Sequence, residues 1–367
     1  MIAPSVQQFR RFDLFAFTFS STVTLGVVFL PYVADGEIRS AWLKLLVTAI
    51  PYFILVWLIA KYSDKYGDED FFLALEHQFG KYLYYPVVFY FILSAVVANM
   101  KVSQELSYLV NTFLLINTPT LMIILPFLCL VGLAVYYGIG TITRFVTFFV
   151  LAEIVLVLSF TVYAIFSDYF QWINIPPVFS VSVPSFLISS LSDMARYGGI
   201  VTLLGFVHFI KKEKGTLTAM SLGVFFVMII YVLISIATLG VFGFENTIHL
   251  VSPITSLVQS VSPVNGMLER LDLLFLGFWI LSFVKVSCIL LWFAVYIAEN
   301  CFKRVSRIIF IVFFTSAALI YSVFVPYILI GEWRVYNINV FIVSFIVPTI
   351  LLLMLIVKRQ KEKGFSS

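Results

Sequence analysis

The sequence predicts an all-α polytopic membrane protein, with ten transmembrane helices in two five-helix halves of opposite orientation. Three observations carry that expectation. The chain is 62% hydrophobic and only 11% charged, with mean hydropathy +1.06, against about 25% charged residues in ordinary soluble domains. Its Lys and Arg gather on one side of the predicted spans. Two spans, each opening one half of the chain, are interrupted by glycines and hydroxyl residues. With 40 Phe and 19 Tyr the chain holds more apolar surface than a soluble fold can hide. The roughly 10-residue alternating segments of a membrane β-barrel are absent.

A window of about 20 apolar residues per crossing places the spans at approximately 12–34, 42–60, 82–110, 119–138, 145–166, 186–209, 217–243, 271–298, 306–330 and 337–357. Pro31, Pro86, Pro119, Pro126, Pro326 and Pro348 fall at span ends or at positions suited to kinks. With a cytoplasmic N-terminus, sixteen of the 23 Lys and Arg lie in inner segments, from Arg10 and Arg11 to the basic tail at 358–363. The outer segments hold only Arg39, Lys44, Arg270 and Arg334. Cytoplasmic loops carry such an excess, so both termini are expected inside. Span 1 then starts inside and span 6 starts outside. Repeats at approximately 8–166 and 186–330 are therefore inverted, a layout in which ligand sites lie near the bilayer midplane on discontinuous helices.

The connecting segments contain no separate soluble domain. Residues 61–81 read as a short amphipathic helix on the inner face, and 167–185 as an aromatic, Pro-rich interfacial loop. Residues 244–270 read either as a short helical cap over the outer mouth or as an interfacial loop. The basic tail suits an anchor near anionic lipid. Cys129, Cys288 and Cys301 sit in or beside apolar spans and read as small buried hydrophobes. His77, His208 and His249 have no ligand spacing, so neither a metal nor another cofactor is expected. The first apolar run, from Phe12, is too long for a cleavable signal peptide. No nucleophile–base–orienter spacing or phosphate loop is present, so the chain reads as a binding protein and not an enzyme.

Charge at membrane depth is costly unless it is paired or faces water, which makes the few intramembrane ionisable groups candidates. Span 3 carries Asn99, Lys101, Ser103 and Glu105. Lys101 and Glu105 share a helix face at i,i+4, either as a self-neutralising pair or with one member facing a central cavity. Glu153 in span 5 and Lys285 in span 8 lie at comparable depth and invite pairing, as a static brace or as a proton-linked couple. Asp193 and Arg196 in span 6 either close the outer side of a cavity or satisfy each other.

The interrupted spans supply the lining. Thr22, Thr24, Leu25 and Gly26 belong to span 1; Tyr197, Gly198, Gly199 and Thr202 belong to span 6. Where a helix unwinds, free N–H groups and the positive dipole end hold a carboxylate, and freed carbonyls hold an ammonium. An amino acid matches both. The competing reading is that these glycines only let helices pack closely.

Several motifs carry a resemblance. They are Gln8-Phe9 before span 1, Gly26 with Pro31, Ala41-Trp42, F-G-K at 79–81, N-T-P at 117–119, and L-E-R-L-D-L-L-F-L-G-F-W from Leu268 to Trp279. Together they resemble the B subunit of the nutrient-germinant receptors of endospore-forming bacteria, a permease-like spore germination family. The resemblance implies a ten-helix fold of the amino acid–polyamine–organocation (APC, LeuT-like) type. It implies a ligand between spans 1, 3, 6 and 8, facing Thr24–Gly26, Asn99 to Ser103 and Tyr197–Gly199. It places Lys285 where cation-coupled relatives hold an ion. It also implies nutrient sensing in the inner spore membrane, beside an A-type subunit and a lipoprotein C-type subunit. The rival reading is a secondary active transporter for an amino acid or amine, proton-coupled through Glu153.

Overall fold

The computed structural model describes residues 8–24, 30, 40–67, 69–176, 182–211, 213–247, 249–250, 252–261, 271–325, 327 and 334–365. Leu25, Gly26, Pro31, Arg39, Lys212, Glu269, Arg270 and Pro326 of the sequence reading lie outside the described residues. The long elements are α1 (Arg11–Ser20), α2 (Ala41–Tyr66), α3 (Phe71–Phe79), α4 (Lys81–Phe113), α5 (Thr120–Tyr137) and α6 (Ile139–Ile165). They continue with α7 (Val183–Asp193), a 3₁₀ helix (Met194–Phe209), α8 (Thr216–Thr247), α9 (Pro253–Val261) and α10 (Leu271–Cys301). α11 (Arg307–Phe324), α12 (Arg334–Phe341), a π-helical turn (Ile342–Ile346) and α13 (Val347–Phe365) complete the order.

Eight segments of the described chain are helices long and apolar enough to cross a membrane. The expected spans missing from that set are 12–34 and 186–209, the two read as interrupted. In the first, side-chain hydroxyls compete for the backbone. Thr18 Oγ1 donates to Leu14 O at 2.7 Å, and Thr22 Oγ1 to Thr18 O at 3.0 Å. The ladder tightens to Thr22 N→Phe19 O at 3.1 Å, and α1 gives way to a turn at Ser21 and Thr22.

In the second, the interruption differs from the expected unwinding at Gly198-Gly199. α7 changes at Met194 into 16 residues of 3₁₀ helix that run through both glycines. Runs of 3₁₀ helix beyond a few residues are uncommon because their hydrogen bonds are poorly aligned. Close packing is the reason it persists here. A Cβ on Gly198 would stand 2.7 Å from Val340 Cγ1, and one on Gly205 2.9 Å from the Phe293 ring.

Other boundaries follow local chemistry. Asp70 caps α3, accepting from Phe72 N at 2.8 Å and Leu73 N at 2.9 Å. Gly80 then takes φ 76°, which only glycine adopts without strain, so F-G-K is a helix corner. The π-helical turn precedes Pro348, whose missing N–H and ring clash with the carbonyl four residues earlier force the ladder open. The inner loop helix is α3 alone, with Phe71, Phe72, Ala74 and Leu75 buried. α9 falls within the segment read as an outer cap. Phe9 N donates to Phe209 O at 2.7 Å and Lys211 N to Phe9 O at 3.1 Å, so the chain ahead of α1 is tied to the end of the 3₁₀ helix.

Three residues depart from the sequence reading. Cys129, expected buried, is exposed and lines an open groove between α5 and the later helix α11, and Cys301, also expected buried, is half-buried with its Sγ 3.5 Å from the Tyr84 hydroxyl. Lys44, counted with the outer loops, lies in the second turn of α2 and is 1% exposed. Phe186 of α7 lies against it, its ring centroid 5.7 Å from the Lys44 Nζ.

Candidate functional site

The two interruptions meet at one side chain that the sequence reading did not single out. Tyr231, midway along α8, places its hydroxyl 2.8 Å from Thr22 O, 3.1 Å from Val23 O and 3.3 Å from Arg196 O. A phenol carries one proton to donate, so these carbonyl oxygens share it. The arrangement leaves a concentration of carbonyl lone pairs where the turn after α1 faces the start of the 3₁₀ helix. The Tyr197 ring packs 5.4 Å from Tyr231 and 5.5 Å from Tyr52. Its hydroxyl donates to Leu45 O at 3.1 Å. Nothing in the sequence marks Tyr231 among 19 tyrosines.

The remaining span 1 and span 6 candidates are placed as follows. Thr22 is fully buried, and Thr24 Oγ1 donates to Ser282 O of α10 at 3.3 Å. Thr202 Oγ1 donates to Gly199 O at 2.7 Å. Gly198 faces Val340 and Ser344 of the last span, so it acts as a packing glycine there. On α4, Asn99 is buried with its Oδ1 unpartnered among the described residues. Its carbonyl accepts from Ser103 Oγ at 2.9 Å.

The charged candidates form two groups. Glu153 of α6 and Lys285 of α10 form a buried ion pair, 3% and 1% exposed. Ser282, one turn before Lys285 on the same face, donates to the other carboxylate oxygen. That i,i+3 spacing was the signal by which Ser282 could have been found. Because Thr24 also bonds Ser282 O, the pair is linked to the turn region of α1. In the second group, Lys101 lies 3.5 Å from Glu105 and 4.8 Å above the Tyr336 ring. Arg196 lies 3.1 Å from Asp193, at the junction of α7 and the 3₁₀ helix. The Lys101–Glu105 pair thus reaches the last span through Tyr336, whereas Asp193 and Arg196 pair locally across the α7–3₁₀ junction.

A further polar cluster, also unread in the sequence, lies at the end of the bundle that carries α3. Tyr296 of α10 donates to the Asp70 carboxylate, and His208 Nδ1 lies 3.4 Å from the same oxygen. The His208 and Tyr296 rings stack at 5.6 Å. On the other side of α3, Arg359 pairs with Glu69 and Lys358 donates to Gln78 O. Asp70 preceding an apolar run is a cap signature, but its contact with residues some 140 and 230 positions away is a tertiary fact.

The chain as a whole has known relatives. A family described as spore germination protein matches residues 9–328. Spore germination protein YndE of Bacillus subtilis (strain 168) is 24% identical over 281 residues, spanning 76% of this chain and 77% of YndE. Spore germination protein A2 of the same organism is 24% identical over 275 residues, 73% of this chain and 74% of that relative. Among solved structures, the crystal structure of MhsT in complex with L-phenylalanine aligns with TM-score 0.69 and 12% identity, covering 95% of this chain and 88% of that one. At that identity the likeness is one of fold. The permease-like resemblance carried by the sequence motifs thus agrees with the family match, and this integral membrane protein belongs to the spore germination protein family.

Proposed function

We propose that this chain is the nutrient-sensing subunit of a spore germination receptor. It binds a small polar ligand, an amino acid, between the turn after α1 and the 3₁₀ helix, within ten spans arranged as inverted repeats. The carrying observation is the cluster of Thr22, Val23 and Arg196 carbonyls around the one Tyr231 hydroxyl. Such a cluster suits the ammonium of an amino acid, and MhsT, of similar fold, was crystallised with L-phenylalanine. Ligand binding shifts the balance between two states by as much as the ligand prefers one of them. A-type and C-type subunits in the inner spore membrane then receive the change. The groups that would carry the change are those joining elements: Lys101 with Tyr336, and Asp70 with His208 and Tyr296.

Thermal-shift screening of L-amino acids against the purified chain tests the proposal, with Tyr231→Phe as the control. Stabilisation by a subset of amino acids in the native chain and its loss in Tyr231→Phe is the expected result. Equal stabilisation of both proteins removes the site. A second reading, secondary transport of an amino acid or amine coupled to protons, is favoured by the buried Glu153–Lys285–Ser282 group. Concentrative uptake of a labelled amino acid into proteoliposomes holding this chain alone would establish that reading in place of pure sensing.

A further inference from the structure

A groove of about 630 Å³ runs along the bilayer-facing surface between α5 and α11. Its floor is Leu128, Gly132 and Ile311, all buried, and its rim includes the exposed Leu125, Tyr136 and Ile308. Gly132 keeps it deep: a Cβ there would already stand 3.4 Å from Ile311 Cγ2. The lining is apolar apart from the Cys129 thiol and the hydroxyls of Tyr136, Thr315 and Ser316, and the Thr315 hydroxyl is satisfied by Ile311 O at 2.7 Å.

The length of the groove identifies what fits it. Lining residues run from Leu125 to Tyr136 on α5 and from Ile308 to Leu319 on α11. At a rise of ~1.5 Å per residue each stretch is about 16 Å, roughly half of a ~30 Å hydrocarbon core. One leaflet has that depth. A helix of a partner spanning the membrane would need a seam about twice as long.

Charge marks one end. α11 begins at Arg307 beside the Tyr136 end of the groove. Among the described residues the Arg307 Nε is buried without a hydrogen-bond partner, and a Glu299 carboxylate oxygen lies 3.9 Å away. Lys303 and Arg304, exposed, form the turn leading into α11, and exposed Arg144 lies in the second turn of α6. Among the described residues, these four cations against the one Glu299 carboxylate leave this end net positive. We propose that the groove is a specific site for an anionic phospholipid of that leaflet, with an acyl chain against Gly132 and the phosphate at Arg307. Apolar depth supplies the fit, and the basic end selects the headgroup.

The test is thermal melting of the purified full chain in detergent with added phosphatidylglycerol or phosphatidylcholine. Phosphatidylglycerol should raise the melting midpoint by several degrees and phosphatidylcholine should not. Gly132→Phe should abolish that shift, and Arg307→Gln should reduce the preference for the anionic lipid. An equal response of the native chain to both lipids overturns the proposal, as does a full phosphatidylglycerol shift in Gly132→Phe. Cys129 lines the groove and is exposed, which provides a measurement on the unaltered protein. Phosphatidylglycerol should slow its alkylation by a maleimide more than phosphatidylcholine does, and identical rates contradict a lipid there. Loss of a lipid-independent dimer in Gly132→Phe would assign the groove to a second copy and refute the lipid.

Discussion

Lys285 illustrates how one buried charge constrains its neighbours. Its ammonium and the Glu153 carboxylate are each withdrawn from water, and the pair stands because Ser282 and the ion partner occupy both carboxylate oxygens. Removing one member of a buried pair strands the other at a cost of about 3–5 kcal/mol. Lys285→Ala should therefore lower the melting temperature strongly, and adding Glu153→Gln should restore part of the loss. A double variant no better than the single would show that the two charges are not coupled. Lys44 is the converse case. Its Nζ is buried without a hydrogen-bond partner among the described residues and lies 5.7 Å from the Phe186 ring centroid. Burying an ammonium without a partner is unfavourable, so Lys44→Met should raise the melting temperature. A fall instead would reveal an anionic partner for it. Tyr231→Phe, by contrast, removes one shared hydroxyl and should cost about 1 kcal/mol of stability, small beside its effect on ligand response.

At the scale of elements, the 3₁₀ helix is the unusual piece. Its ladder change at Met194 was not legible, because a Gly pair weakens any helix without saying which ladder replaces it. Val340 packs where a Gly198 Cβ would be, so this stretch admits no side chain at that position. Gly198→Leu should push α12 and the π-helical turn away, lowering the melting temperature, with Gly198→Ala intermediate. Equal melting of the native chain and both variants would show that the contact has no consequence. In span 1 the hydroxyl-rich turn at Ser20-Ser21-Thr22 was legible in composition, while the break expected at Gly26 lies outside the described residues. That these two regions touch through Tyr231 of α8 was not legible, because the contacts cross some 35 and 209 residues of sequence.

For the whole molecule, the charge asymmetry yields a direct prediction. If both termini lie on the cytoplasmic side, as the Lys and Arg distribution predicts, a fluorescent protein fused after Ser367 should fold and fluoresce, and an alkaline phosphatase fused there should be inactive. The reverse pattern would invert every loop assignment. The sequence by itself determined the membrane class, the main helices and the family. These follow from composition, from helix periods that must span about 30 Å, and from motifs read in order along the chain. It also identified Glu153 and Lys285 as partners, since two lone opposite charges at one depth have few alternatives. Only the tertiary structure decided that Gly198 packs against the last span, that Lys44 is buried, that Cys129 faces a groove, and that Tyr231 and Tyr296 tie distant elements together. Helices that are apolar on every face carry no periodic mark of which side turns inward. Their rotation is set by close packing against neighbours.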